Sequence, residues 1–256
     1  MSDIANLYWD VAELYELDPR DMGDVAFFLD FALKTPGKNI LELASGTGRV
    51  TIPLARNGCS VTAIDFSDPM LELLNQKLER EPELKEKITA VKGDMSDFHL
   101  DKTFDMIFIP FRSFQLLLTK DKALSCLRCV KEHMTNGSIF IVDLFEPPEG
   151  LDESWGYAPT LVWKNDISPD TNVRRVDEGY KIDLKEQILF VTQRYFIEQN
   201  GKVIEEKIDH LNMKYYYYEQ MVSLIKESGL SIIDFYGWFD KSRGLQGRDM
   251  IFVCAK

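Results

Sequence analysis

The chain has 256 residues, of which 45% are hydrophobic and 28% charged, a composition typical of globular proteins rather than disordered or fibrous ones. Its formal net charge of −12 argues against broad nucleic-acid binding, because phosphate backbones attract basic surfaces. No apolar run approaches the ~20 residues of a membrane span, and the N-terminal sequence lacks the basic start and apolar core of a signal peptide, so we expect a cytoplasmic protein.

Helix-like and strand-like segments alternate along the first 145 residues. The segments with helical spacing are, in chain order, IANLYWDVAELYE, DMGDVAFFLDFALKT, VTIPLARNG, DPMLELLNQKLEREP and KDKALSCLRCVKEHMTNG, the last of them closed by Asn136-Gly137. The apolar runs that indicate strands are NILELAS, SVTAIDF, ITAVKGD, TFDMIFIPF and SIFIVDLF. This alternation predicts an α/β fold with a parallel sheet covered by helices on both faces.

The sequence pattern changes after Pro147-Pro148. The segments APTLVWKN, VRRVDEGYKID, EQILFVTQRYFIEQ and KVIEEKIDHLNMKY are polar at alternate positions, and Asn200-Gly201 is a hairpin signal. They predict a small antiparallel β insert. A helix (YEQMVSLIKESG) and two strands (LSIIDFYGWF and RDMIFVCAK) follow. We therefore predict one α/β domain, formed by residues 1–150 and 214–256, that is interrupted by an insert at 151–213.

The stretch from Ile40 to Leu71 has the layout of a β-α-β unit that binds a nucleoside. The dinucleotide fingerprint G-x-G-x-x-G/A begins at Gly46 and Gly48, but Thr51 occupies its third small position. Glu42 also precedes the glycines, where a pyrophosphate gains nothing from a carboxylate. A cofactor with a cationic amino-acid tail and no phosphate suits this site better.

Four motifs occur in order, each at the end of a predicted strand: ELASGTG from Glu42, AIDFSDPML, VKGDMSDF and FDMIFIPFRSFQLL. In this order they resemble the class I methyltransferases that depend on S-adenosylmethionine (SAM). In that family the first motif reads acid-x-G-x-G-x-G, and Ala44 here replaces its first glycine. The resemblance implies SAM as cofactor, S-adenosylhomocysteine as product, and a Rossmann-like fold whose mostly parallel seven-stranded sheet ends in a C-terminal antiparallel hairpin.

The resemblance also implies a set of cofactor-binding residues. Asp65 would bind both ribose hydroxyls, and a carboxylate suits a diol because it accepts two hydrogen bonds. Asp94 would accept the adenine amino group, while the Met95 backbone meets a ring nitrogen. The remaining members of the set are Tyr8 of the N-terminal segment, Glu42, Ala44, Gly46 and Gly48 of the first motif, Phe66 and Met70 around the adenine, and Phe111 beside the methionine part.

Candidate catalytic residues are fewer, because methyl transfer from a sulfonium mainly requires alignment of acceptor, carbon and sulfur. Tyr15 lies in the segment that covers the cofactor and acceptor in similar enzymes, with core packing as the alternative. Gln115 (or Ser113) is a candidate for orienting the acceptor, against local loop hydrogen bonding. His210 is a candidate on the last insert strand, against an ordinary sheet histidine. We expect His99 to lie in a polar loop and His133 to cap a helix end.

The order of elements resembles small-molecule methyltransferases that act on amino sugars, glycine-type amines and peptide or antibiotic amines. It implies a small-molecule or peptide-end acceptor, with nitrogen favoured over oxygen. A SAM-binding protein without turnover and an RNA or protein methyltransferase stay open as alternatives. Trp155, Tyr157, Trp163 and Tyr215–Tyr218 line the acceptor pocket or pack the insert. The Cys126-x-x-Cys129 pair fits an ordinary helix, so no metal is expected, and no nucleic-acid or membrane partner.

Overall fold

A computed structural model describes residues 10–245 and 248–256. Its helices are α1 (Ala12–Tyr15), α2 (Asp24–Lys34), α3 (Thr51–Arg56), α4 (Asp68–Arg80), α5 (Lys120–Glu132) and α6 (Tyr218–Glu227). Its strands are β1 (Asn39–Leu43), β2 (Ser60–Asp65), β3 (Ile88–Lys92), β4 (Phe104–Ile109), β5 (Met134–Phe145), β6 (Tyr157–Ser168), β7 (Thr171–Asp183), β8 (Ile188–Gln199), β9 (Lys202–Lys214), β10 (Ser231–Tyr236) and β11 (Asp249–Ala255). Within these ranges, no helix is both long and apolar enough to cross a bilayer.

Seven strands form one sheet in the order β10-β11-β5-β4-β1-β2-β3. The five strands from β1 to β5 run parallel, whereas β11 is antiparallel to both of its neighbours. The predicted Rossmann-like α/β fold with a C-terminal antiparallel hairpin is thus confirmed. Strand order reverses between β1 and β4, and ligands of such sheets bind at the carboxyl ends of the strands beside this point.

The central strands are buried on both faces. Successive residues of a strand point to opposite faces, so Leu41 and Leu43 of β1 join the apolar cluster under α5 and α6, and Ile40 joins the cluster under α2, α3 and α4. The same division separates Ile107 from Phe108 in β4. Burial on both sides explains why the strands read as near-continuous apolar runs.

The end of α5 differs from the prediction. The helix stops at Glu132, and β5 begins at Met134 and includes the Asn-Gly pair that was expected to close the helix. His133 is the C-cap: its backbone N–H donates to Val130 O at 3.1 Å, and its ring Nδ1 lies 2.7 Å from Cys129 O. The ring Nε2 accepts a hydrogen bond from Leu100 N at 2.8 Å. The histidine therefore terminates the helix and leaves Asn-Gly free to enter the strand.

The segment after β5 forms a separate four-stranded antiparallel sheet in the order β6-β7-β8-β9. Asn200 and Gly201 join β8 to β9 with φ of 50° and 73°, the left-handed pair that a two-residue type I′ hairpin requires. The N-terminal segment packs against this sheet, because Val11 and Leu14 share an apolar cluster with Trp163, Val173 and Tyr195. Trp163 is therefore insert core.

Candidate functional site

A cavity of about 500 Å³ lies at the carboxyl ends of the core strands, between the seven-stranded sheet, the N-terminal segment and the insert. Nine of the residues proposed from the sequence line it: Tyr15, Ala44, Gly46, Asp65, Phe66, Met70, Asp94, Met95 and Phe111. They come from four separate motifs, and only the parallel sheet brings them together. Tyr8 lies outside the described residues, so its predicted contact with the cofactor stays a prediction.

The turn between β1 and α3 forms the floor of the cavity. Ala44, Gly46 and Gly48 have φ of 57°, 55° and 83°, in the left-handed region that favours glycine. A Cβ on Gly46 would meet only the Met70 sulfur, at 4.0 Å, so this position leaves room for a ligand. A Cβ on Gly48 would lie 2.5 Å from Leu74 Cδ1. Gly48 does not line the cavity; it is the position where α4 packs against the turn.

Asp65 ends β2 and organises the neighbouring backbone. Its Oδ2 accepts a hydrogen bond from Gly46 N at 2.7 Å, and its Oδ1 accepts one from Ser67 N at 2.8 Å. Burial raises the pKa of this carboxyl, and the backbone hydrogen bonds oppose the shift. Each carboxylate oxygen has two lone pairs, so both can still accept a hydroxyl from a diol in the cavity.

Asp94 follows β3 in a similar way. Ser96 donates to its Oδ1 twice, from the backbone at 2.8 Å and from the hydroxyl at 2.7 Å. Burial raises the pKa of Asp94, but these hydrogen bonds and the nearby Lys122 outweigh it, and the pKa lies below the ordinary value. Phe66 is among the large apolar side chains left exposed, which suits a ring that stacks on a planar ligand.

The chain leaves β4 through a strained turn. Phe111 and Arg112 have φ of 59° and 62°, which is uncommon for residues other than glycine. The carboxylate of Asp143 on β5 accepts hydrogen bonds from both of their N–H groups, at 3.0 and 2.8 Å. The Arg112 side chain is held by Asp249 on β11, with Nε 2.8 Å from Oδ1. Two buried carboxylates thus fix the turn that borders the cavity.

The ring of Phe111 is packed from two sides. Tyr15 meets it edge to face, with ring centroids 6.2 Å apart, and the Arg49 guanidinium lies 4.9 Å from its centroid. Arg49 is itself fixed by two hydrogen bonds to Asp24, at 2.8 and 2.5 Å. Tyr15 is buried, and burial raises the pKa of its phenol. This places Tyr15 at the junction of the N-terminal segment and the β4 turn.

Glu42 does not reach the cavity, and its predicted direct contact with the cofactor needs correction. It points to the same face of β1 as Ile40, and accepts a hydrogen bond from the Thr51 hydroxyl of α3. Only 1% of it is exposed, and burial raises its pKa to about 8. Glu42 therefore supports the turn from beneath.

Gln115 and His210 also lie away from the cavity. Gln115 is fully buried; its Nε2 donates to Lys214 O at 3.0 Å, and its Oε1 accepts from Phe145 N at 2.9 Å. Neither group remains to orient an acceptor. His210 is exposed and lies 3.5 Å from Thr192 Oγ1, on the opposite face of the insert from the cavity-lining Leu211. The alternation of β9 separates these two neighbours.

Sequence reasoning missed the polar residues that the insert and β5 contribute. Arg175, Asp177 and Gln193 line the cavity from the insert, and Asp143 supports it from below. The acid in the apolar strand IVDLF is a signal for Asp143, since a buried carboxylate needs partners. The insert residues gave no such signal, because both faces of its strands carry polar side chains.

Residues 40–137 match the family model described as a methyltransferase domain. This segment contains the glycine turn, Asp65 and Asp94. The predicted resemblance to class I SAM-dependent methyltransferases is thereby confirmed.

Two curated relatives match part of the chain. The cypemycin N-terminal methyltransferase of a Streptomyces species is 32% identical over 113 residues, 44% of each chain. The dTDP-3-amino-3,4,6-trideoxy-alpha-D-glucopyranose N,N-dimethyltransferase of Streptomyces venezuelae is 25% identical over 158 residues, 56% of this chain and 63% of the relative. The matches span about half of the length of these relatives.

Solved structures match the whole fold. The CcbJ methyltransferase from Streptomyces caelestis has a TM-score of 0.79 at 23% identity and covers 98% of both chains. SAM-bound CalS10, an amino pentose methyltransferase from Micromonospora echinaspora, has a TM-score of 0.72 at 19% identity, also over 98% of both chains. At these identities the likeness establishes the fold, including the insert.

Proposed function

We propose that the chain is a SAM-dependent methyltransferase whose acceptor is an amine of a small molecule or of a peptide end. The observation that carries the proposal is the convergence of Gly46, Asp65, Phe66 and Asp94 on one cavity at the carboxyl ends of β1 to β3. The family match over residues 40–137 supports it independently.

The residues present fit SAM. Asp65 keeps lone pairs for a ribose diol, Asp94 offers an acceptor for an amino group, and Phe66 offers a ring face for adenine. The space over Gly46 lets a ligand approach the backbone. The cofactor supplies a methyl group already activated on a sulfonium.

The chain itself contributes alignment and the exclusion of water. Proximity and orientation supply ~7–11 kcal/mol in well-oriented reactions. Phe111, fixed by Asp143 beneath and Tyr15 and Arg49 around it, gives the cavity a rigid wall where the methyl group would lie. The amine nitrogen forms its bond to carbon as the carbon–sulfur bond breaks, and that bonding pair stays on sulfur.

The choice of nitrogen over oxygen follows from the groups around the cavity. A hydroxyl acceptor needs a base to remove its proton, whereas an amine that has lost its ammonium proton to solvent carries a free lone pair. Among the described residues that line the cavity there is no histidine. Burial raises the pKa of Tyr15, and raises that of Tyr157 to about 12, so both phenols keep their protons at neutral pH. The two curated relatives, by their names, are also methyltransferases of amino groups.

The insert, proposed as a unit at 151–213, would roof the acceptor half of the cavity. Two alternatives compete with this function: a SAM-binding protein without turnover, and an RNA or protein methyltransferase. The net charge of −12 disfavours RNA.

Calorimetric titration and a labelling assay test the proposal. SAM and S-adenosylhomocysteine should bind and NAD should not. With methyl-tritiated SAM and a small-molecule extract of the source organism, label should enter small molecules or peptides rather than RNA or large proteins. NAD binding without SAM binding would falsify the cofactor assignment. SAM binding with no labelled product in any fraction would favour the protein without turnover.

A further inference from the structure

The insert presents a polar row to the cavity. Asp177 of β7 pairs in register with Gln193 of β8, and Arg175 precedes Asp177 by two positions on the same face. These three residues, the roof cluster, all line the cavity. Val191, two positions before Gln193, and Leu211 of β9 extend the same face as an apolar surface.

The roof cluster is buried. Arg175 and Asp177 are 8% and 9% exposed, and Gln193 is 2% exposed. Arg175 Nη2 donates to Asp177 Oδ2 at 3.0 Å, and Gln193 Nε2 reaches the same oxygen at 3.5 Å. Burial raises the pKa of Asp177, and the Arg175 charge opposes the shift.

Gln193 leaves an acceptor without a donor. Its Oε1 is buried, yet no residue in the described part of the chain donates a hydrogen bond to it. A buried polar atom without a partner is costly, and native proteins retain such groups chiefly where a ligand or water completes them. The atom belongs to a side chain that lines the cavity, so the missing donor is supplied from the cavity.

We propose that Asp177 and Gln193 Oε1 form the subsite for the N–H groups of an aliphatic amine acceptor, with Val191 and Leu211 packing against its carbon skeleton. The inference rests on the proposed function and names the substrate class of that site.

An amine fits this subsite better than a hydroxyl or an acid. The open groups of the row are two neighbouring hydrogen-bond acceptors, and a primary amine offers at least two N–H donors where a hydroxyl offers one. A carboxylate acceptor would place its charge against Asp177.

Arg175 gives the subsite a balanced charge. The pair that it forms with Asp177 carries no net charge, so the subsite binds N–H groups without the excess negative charge that would hold the amine as ammonium. A docked amine can therefore keep the free lone pair that methyl transfer uses.

Chemical capping of amines tests the substrate class. The small-molecule extract is divided, and one half is treated with an acetylating reagent that caps amines and spares hydroxyls; both halves are then incubated with the full chain and methyl-tritiated SAM. Label should enter the untreated half and be lost from the capped half. Label that survives capping overturns the amine class. No label in either half contradicts the proposed function itself, and this inference falls with it.

Variants test the residues, with the labelled amine purified from that extract as substrate. Asp177→Asn and Gln193→Leu should each raise its KM by about tenfold or more, with S-adenosylhomocysteine affinity within about twofold of the parent. Gln193→Leu guards against misfolding, because no described residue donates to the Oε1 that it removes. Glu178→Gln, next to Asp177 on the opposite face of β7, is the matched control and should leave KM unchanged. An unchanged KM in both cavity variants refutes the subsite.

Discussion

Asp143 and Phe111 are 32 residues apart in the chain, and a hydrogen bond of 3.0 Å joins the carboxylate of one to the backbone N–H of the other. The second carboxylate oxygen accepts from the next residue along, so one buried side chain holds two consecutive residues in the left-handed region. Such strain persists only where the surroundings fix it, and it tends to occur at functional sites.

Asp143→Asn should loosen this turn, because an amide can accept at one of its two terminal atoms and must donate from the other. We expect the free energy of unfolding to fall by about 1–3 kcal/mol, the cost of an unmade buried hydrogen bond. S-adenosylhomocysteine affinity should fall as well, since Phe111 borders the cavity. Urea denaturation and calorimetry measure the two effects. Asp101→Asn, at an exposed carboxylate, is the control, and equal behaviour of the two variants would contradict the role of Asp143.

Asp65→Ala should weaken the binding of S-adenosylhomocysteine by about 1.5–3 kcal/mol, the range for hydrogen bonds to a charged group. It should also destabilise the ligand-free chain, because the carboxylate holds the N–H groups of Gly46 and Ser67. Calorimetry and denaturation without ligand separate these effects. Affinity that stays at the parental value would mean that the ribose lies elsewhere.

Glu42→Gln should change how stability depends on pH. Burial raises the pKa of Glu42 from 4.5 to about 8. Between these values the folded chain keeps a proton that the unfolded chain releases, so this residue's contribution to stability falls as pH rises through the window. Glutamine does not titrate. The variant should therefore gain stability relative to the parent between pH 5 and pH 8, by up to about 4 kcal/mol.

Free energies of unfolding at pH 5, 6.5 and 8 measure this gain. Glu72→Gln, at an exposed position, provides the control and should follow the parent. Parallel curves for Glu42→Gln and the parent would show that Glu42 is ionised in the folded chain.

Gly48→Ala should destabilise the chain more than Gly58→Ala. Both glycines have positive φ, 83° and 89°, so each alanine carries a backbone cost of about 1 kcal/mol. Only at Gly48 does the new Cβ meet a neighbour, Leu74 Cδ1 at 2.5 Å, which adds about 1–3 kcal/mol of overpacking. Thermal unfolding of the two variants isolates the contact with α4. Equal losses would indicate that Leu74 moves aside without cost.

The cofactor half of the cavity could be predicted from the sequence because its residues follow apolar strands. Asp65 and Asp94 sit where β2 and β3 end, and parallel strands end at one edge of a sheet. Local pattern was less informative one residue away: Glu42 belongs to the same motif, yet the alternation of β1 turns it beneath α3.

The acceptor half could not be predicted in the same way. Period-two alternation separates His210 from Leu211, but it does not say which face of the insert meets the core. That choice depends on tertiary packing, in which Val11 and Leu14 of the N-terminal segment cover Val173 and Tyr195. The predicted role of His210 failed for this reason, and Asp177 was missed for the same one.

The buried amide of Gln115 links Phe145 to Lys214, the residues between which the chain leaves the core and comes back. One side chain of the core thus sets the separation and direction of both ends of a 68-residue excursion, whatever sequence lies within it. The roof can diverge in lineage after lineage, or be exchanged by recombination at these two points, while the nucleoside-binding floor is inherited intact. New acceptor ranges can thus arise on a conserved chemical engine.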